Sequence, residues 1–337
     1  MSCRQPWFYK SSLEHSTENN ELMRKTFLLI IFALTLGGVC KQAPAQAQAN
    51  APAQTPSKAA TPAPTPPAWL DRRVRDEVSK FEGTVSLYAK NLDTGAVYEL
   101  NGDAPVRTAS TIKLAVMVEA FARVAEGHAK WTDELVLDKS VRYAGSGVLQ
   151  DLGDGLCLTL RDAVTLMMTV SDNTATNMVL NYLTTDAVNR RMDSLGFTQT
   201  RIMRKVGGGG DSEEGKREEN KRFGLGRTSP HEMATLVEKL ERGEIVSPAA
   251  SKEMIELLKR EQTKDGIWRE LWNVPTATKA GALDALRSNV GIIYHPRGRI
   301  VLAVTCDDMP QQNWTADNPA LLLMSRLSEI VIDGLGK

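Results

Sequence analysis

Ser110-Thr-Ile-Lys-Leu-Ala-Val-Met-Val-Glu-Ala-Phe-Ala-Arg-Val124 is the stretch on which the reading of this chain turns. From Ile112 to Val124 it is apolar nearly all round, the pattern of a helix enclosed in a sizeable core. Gly127 then ends it. Lys113 is the residue that does not belong. It falls in the first helical turn, where the helix dipole disfavours a cation, and its neighbours are residues that bury. Both effects lower its pKa and favour an amine able to accept a proton. Ser110 lies three residues earlier, hence on the same face. A serine hydroxyl beside such an amine is an activated nucleophile. The plainer alternative makes Ser110 a helix cap and lets Lys113 snorkel to solvent.

Outward from this helix the ends of the chain are of a different kind. Residues 1–22 are polar and unpatterned and read as an upstream extension. Met23-Arg-Lys25 precedes an apolar run from Phe27 to Cys40, too short to span a bilayer comfortably. With the small-residue sequence Ala43-Pro-Ala-Gln-Ala47 this reads as a signal peptide over 23–47. An uncleaved anchor is the other reading, and Gly37-Gly-Val39 before Cys40 makes a poor lipidation site. Residues 48–68 are an Ala- and Pro-rich linker that cannot build a core. The expectation is therefore a secreted or periplasmic monomer, touching membrane only through its signal or a lipid.

The 337 residues carry 41 basic and 41 acidic side chains, so no charge imbalance points to nucleic acid. The four cysteines form no C-x-x-C pair and the four histidines show no ligand spacing, so neither metal nor cofactor is expected. Cys157 and Cys306 read equally well as buried thiols or as a disulfide.

Within 69–337, residues 71–81 read as a helix, and Thr84–Tyr88 and Val97–Leu100 as a hairpin. Residues 131–160 read as loop, and Thr159 as the cap of a helix that ends at Ser171-Asp-Asn173. Helices follow over 174–183 and 187–195, and Ser229-Pro230 and Ser247-Pro248 open two more. Residues 204–227 hold four consecutive glycines and a dense charge run, the mark of a long surface loop. Strands return at 276–282, 288–294 and 299–305, and Asn318-Pro319 starts a last helix. Strands, a helical block, then strands again make an α+β fold with an all-α insertion and a crevice between the two.

Three short motifs stand in order: Ser110-Thr-Ile-Lys113, Ser171-Asp-Asn173 and Lys279-Ala-Gly281. This set resembles the S-x-x-K, S-D-N and K-T-G signature of the penicillin-recognising serine hydrolases, with spacing similar to class A β-lactamases. The resemblance covers essentially all of 69–336. It implies an antiparallel five-stranded sheet with flanking helices (about 69–108 and 243–337) plus an all-α part (about 109–242). It implies that Ser110 attacks an acyl carbonyl, that Lys113 takes its proton, and that Ser171 passes one to the leaving nitrogen. Lys279 would hold the Ser171 hydroxyl and a substrate carboxylate in its field. Asn173 would bind a substrate amide, and the N–H groups of Ser110 and Ala282, beside Gly281, would form the oxyanion hole.

Two departures from the family pattern stand out. Ala280 replaces the middle hydroxyl of the third motif, for which Thr278 or Ser288 are the substitutes, and Arg287 is the candidate for the carboxylate-binding cation. The deacylating glutamate belongs near Val206 or Gly207, where none stands; Glu213, Glu214, Glu218 and Glu219 lie further along the loop. The expected activity is hydrolysis of β-lactam amides through an acyl-Ser110 intermediate. The rivals are a penicillin-binding D,D-peptidase-like enzyme that deacylates slowly, acting on cell-wall peptides, and a non-hydrolytic β-lactam or muropeptide sensor.

Overall fold

The computed structural model describes residues 64–336. The extension, the signal peptide and most of the linker expected from the sequence lie outside the described residues. In chain order the elements are α1 (Ala68–Val78), β1 (Thr84–Asn91), β2 (Val97–Leu100) and β3 (Val106–Arg107). A 3₁₀ turn, Ala109–Ile112, leads into α2 (Lys113–Ala125), followed by β4 (Glu134–Val136) and β5 (Cys157–Thr159). Next come α3 (Leu160–Thr169), α4 (Asn173–Leu183), α5 (Thr185–Ser194), β6 (Arg201–Ile202), α6 (Glu213–Lys216) and β7 (Gly226–Thr228). The chain closes with α7 (Pro230–Glu241), α8 (Pro248–Lys259), β8 (Thr276–Leu283), β9 (Leu286–His295), β10 (Gly298–Asp307) and α9 (Pro319–Leu335).

The helices start where the sequence supplies acceptors for their first N–H groups. Thr159 caps α3 in a reciprocal box with Asp162. Ser229, Ser247 and Asn318 cap α7, α8 and α9, each followed by proline at the first helical position.

The main sheet runs β2-β1-β10-β9-β8, antiparallel throughout. Strand β1 pairs with β10 from Thr84↔Asp307 to Asn91↔Ile300, so the two ends of the domain close one sheet. Each face of the sheet carries a core. One joins Leu70 and Val74 of α1 to Leu323, Leu327 and Val331 of α9 over the outer face. The other gathers α2, α3, α4, α5, α7 and α8 against Ala277, Val290, Ile292, Val301 and Ala303. Helix α7 packs directly on β1 and β10. Among the described residues no helix is long and apolar enough to cross a membrane.

Three local expectations are revised. Residues 131–160 contain a two-stranded ribbon, with Leu135 opposite Leu158; strands of three residues are too short to show a period of two. The loop 204–227 folds into α6, a 3₁₀ turn over Glu218–Phe223 and β7, which lies between β3 and β6. What organises it is not apolar periodicity but Ser212 capping α6, and Gly215 packing so closely that a Cβ would sit 2.0 Å from the Met203 carbonyl. The buried helix begins at Lys113 rather than Ser110. Cys306 is a free and fully buried thiol, which rules out its pairing with Cys157, and burial pushes its pKa well up.

Candidate active site

Strand β8 is an edge strand, and its outer side faces the turn that carries Ser110. Gly281 makes this approach possible: a Cβ there would stand 2.8 Å from Thr108 O and 2.9 Å from Ser110 N. Ala109, just before the serine, holds φ at +46°, a left-handed conformation costly for a side-chain-bearing residue. Ser110 is half-buried, and its hydroxyl makes no hydrogen bond among the described residues. As the second residue of a helical turn it has an N–H with no partner in the turn itself. On β8 the Ala280 N–H points away from β9, because it bonds to Glu261 Oε1 at 2.8 Å. Strand alternation puts the Ala282 N–H on the same outward edge. The Ala282 N–H is thus on the edge that faces the Ser110 turn, and both residues line the same cleft.

Lys113, three residues on from Ser110, is fully buried. Its Nζ contacts Ser171 O at 2.7 Å, Asn173 Oδ1 at 3.0 Å and Ser171 Oγ at 3.1 Å. Burial, and then the charge of Lys279, hold its pKa well below the usual lysine range, against the opposing pull of Asp172 and Glu261. In its neutral form the amine would have two N–H donors for the two carbonyl oxygens and one lone pair to accept from a hydroxyl. Ser171 reaches this arrangement in a left-handed conformation, φ +55°.

Asp172, besides its pull on Lys113, ties two segments together. One carboxylate oxygen caps α4 through Ala175 N, and the other accepts Val148 N and Leu149 N at 2.7 and 2.9 Å. Gly147 allows this, since a Cβ there would fall 2.2 Å from the carboxylate. The Asn173 amide is held by Ala144 O at 3.0 Å on one side and by Lys113 on the other.

Ser110, Ser171, Asn173, Gly281, Ala282 and Arg287 all line one cleft of about 730 Å³, with Tyr143, Arg204, Gly207, Asp265 and Trp314 among its other walls. Lys279 is brought to the same region but not to the cleft wall. It is fully buried, and it donates to Glu261 Oε1 at 2.6 Å and to Ala280 O at 2.9 Å rather than to Ser171. Nothing in the sequence singled out Glu261, which stands inside the polar run Lys259-Arg-Glu-Gln-Thr-Lys264 and looks like solvated surface.

The substitutes for the missing motif hydroxyl do not reach the cleft. Thr278 is fully buried with its Oγ1 unpartnered, and Ser288 Oγ shares a bond with Thr305 Oγ1. Thr263 and Thr315 line the cleft instead. Arg287 sits on the wall, almost fully buried, and donates to Leu283 O, Leu286 O and Asn313 O, with Trp314 stacked on its guanidinium. Burial lowers its pKa, and it has no ion-pair partner among the described residues.

The loop positions expected to hold a glutamate are Val206 and Gly207. Asn177 of α4 donates to Val206 O and accepts from Val206 N. At Gly207, φ is +85° and a Cβ would collide with the Tyr143 ring. The four loop glutamates point elsewhere: Glu213 pairs with Lys216, Glu214 with Arg217 and Asn220, and Glu218 and Glu219 are exposed. Asp265 is the one carboxylate residue among the cleft-lining residues.

The residues best suited to a metal, Glu99, Asp103 and His231, lie outside this cleft, with the His231 ring stacked on Tyr88 and bonded to Asp103.

A buried, deprotonation-prone lysine behind an unencumbered serine, two outward N–H groups and a second serine on the lysine define a serine acyl-transfer site. The comparisons identify the kind. The model of the beta-lactamase enzyme family matches residues 69–335, and the chain belongs to that family. It is a serine β-lactamase-like hydrolase with the class A fold. Similar solved structures include a β-lactamase from Sphaerobacter thermophilus DSM 20745, 28% identical over 79% of this chain and 96% of that one, TM-score 0.69. Another is PBP-A, 26% identical over 81% and 97%, TM-score 0.70. A third is the L158E mutant of PBP-A as its acyl-enzyme complex with penicillin G, 27% identical over 81% and 98%, TM-score 0.70. Comparison with curated proteins gives no match.

Proposed function

We propose that this enzyme is acylated at Ser110 by β-lactams and by the acyl donors of cell-wall peptides, and that it releases the acyl group slowly. The observation that carries this reading is Val206. Asn177 grips the main chain where a deacylating base is needed, and the side chain there is apolar. In acylation the Ser110 Oγ attacks the carbonyl carbon and its proton passes to Lys113 Nζ. The carbonyl oxygen gathers charge between the Ser110 and Ala282 N–H groups. The C–N bond then breaks, and the nitrogen takes the Ser171 hydroxyl proton, which the Lys113 ammonium replaces. Each of these groups is present. Hydrolysis of the ester requires a base on water within hydrogen-bond reach, and that group is missing at Val206. A penicillin-G acyl-enzyme has been seen in the L158E mutant of PBP-A, a similar fold, which supports acylation as the first step. Rapid β-lactam turnover is the second reading, and Asp265 on the cleft wall is the observation in its favour.

Export belongs to the same proposal. The signal peptide at 23–47 and the linker deliver the domain, as a monomer, to the secreted or periplasmic space where its substrates are. Intact-mass measurement of the full chain mixed with a penicillin and a cephalosporin tests the chemistry. An adduct on Ser110 that persists for hours is the expected result. A short-lived adduct with accumulating product establishes the second reading, and no adduct defeats both.

A further inference from the structure

Glu261 has no place on the cleft wall, yet its side chain and that of Lys279 are both fully enclosed, with Lys279 Nζ 2.6 Å from Glu261 Oε1. The same oxygen accepts the Ala280 N–H, and Oε2 has no partner. The main chain at this point is pinned: Glu261 N bonds to Leu258 O, and Gln262 N to Thr169 O at the end of α3. Burying two ions together gives the fold little, because apolar side chains of similar shape commonly serve as well. A carboxylate that leaves one buried oxygen unpaired to meet a lysine and a strand N–H answers to something other than packing.

We propose that Glu261 is a positioning residue for acylation, holding Lys279 as an oriented ammonium immediately behind the strand edge that carries the Ala282 N–H. This rests on Ser110 being the nucleophile. One oxygen ties down both the cation and the register of β8 next to the oxyanion hole, since Ala280 is two residues from Ala282. Of the three ammonium protons, Glu261 and Ala280 O take two. The third is left for a group entering at the edge of the cleft.

Without Glu261, a buried ammonium at Lys279 would have no counter-ion, a state that burial penalises. That charge also acts on Lys113, on which Lys279 is the largest influence after burial. The elements packed on β8 supply no replacement. The charged residues of α8 (Lys252, Glu253, Glu256 and Lys259) are exposed, the Ala109–Ile112 turn has none, and Arg287 of β9 is itself positive. Asp172, at the start of α4, is spent on the N–H groups of Val148, Leu149 and Ala175.

Glu261→Gln keeps the shape and an acceptor for Ala280 N and removes the charge. The experiment follows adduct formation by the full chain with a penicillin, by intact mass, from about pH 6 to about pH 10. The expected loss is a few-fold at neutral pH and grows to ~10²-fold on the alkaline side, the alkaline limb moving down by about one unit or more. Glu261→Asp retains the charge and is expected to keep the wild-type position of that limb. A Glu261→Gln profile lowered equally at every pH, or unchanged, overturns the proposal while Ser110 stands as nucleophile. A wild type that forms no adduct overturns the Ser110 reading itself, and the role of Glu261 with it. Should Glu261→Gln fail to fold, the pH profile of Glu261→Asp decides. An alkaline limb kept at its wild-type position supports the proposal, and a profile lowered equally at every pH overturns it.

Discussion

The side-chain amide of Asn177 holds residue 206 by both its main-chain groups, donating to Val206 O at 3.1 Å and accepting from Val206 N at 3.0 Å. A two-point grip of this kind fixes where the residue stands regardless of its side chain. Val206 lines the cleft that Ser110 opens onto. Val206→Glu therefore places a carboxylate on the cleft with little change to the loop. A positioned general base is worth about 10²–10⁴-fold, so the acyl-Ser110 lifetime should fall by at least ~10²-fold. Time-resolved intact mass reads this directly. An unaltered lifetime would show that the water cannot be reached from residue 206.

Lys113 yields a prediction about stability as well as rate. Its folded-state pKa is depressed below the unfolded one, so between the two values the unfolded chain binds more protons. Stability then rises with pH through that window, up to the ordinary lysine value of about 10.4, and the burial cost is felt below it. Lys113→Met removes the titration. Relative to the wild type, the variant should be most favoured at neutral or acid pH and lose that advantage as pH climbs, in urea melts taken at several pH values. Acylation should fall by about 10²–10⁴-fold, the worth of a positioned general base. Acylation at the wild-type rate would remove Lys113 from the mechanism.

Gly281→Ala tests whether the contact between β8 and the nucleophile turn is as tight as it looks. The added Cβ meets main-chain atoms, Thr108 O and Ser110 N, which cannot swing aside as a side chain would. Overpacking of this sort costs about 1–3 kcal/mol. Widening the gap between the Ser110 and Ala282 N–H groups should also lower the acylation rate by ~10²-fold, the scale of losing one oxyanion donor. Melting temperature and adduct formation measured together check both parts.

Arg287 binds three carbonyls with one planar group, which a lysine cannot reproduce. Arg287→Lys should destabilise the fold by about 1.5–3 kcal/mol, the worth of a hydrogen bond to a charged group. If its charge also receives the substrate carboxylate, acylation by a penicillin should weaken by ~10-fold, while the penicillin methyl ester should react equally with both proteins. Equal losses for acid and ester would confine Arg287 to tethering the β8–β9 turn to Asn313.

The apolar run from Ile112 to Val124, the capping serines and threonine, and the order of the three motifs were legible in the sequence because they are local. A period of 3.6, an oxygen before a first turn and a serine one turn from a lysine are each written within a few consecutive residues. The absence of a glutamate at 206 was legible in the same way. Contacts between distant segments were not. Lys113 meeting Ser171 and Asn173, Asn177 taking hold of Val206, and Glu261 reaching Lys279 depend on how α2, α4, α8 and β8 converge. Sequence put Lys279 in the third motif and did not single out Glu261. Packing decided that the two meet, because burial of a charge forces it to find a partner, and which partner is near is a property of the folded chain.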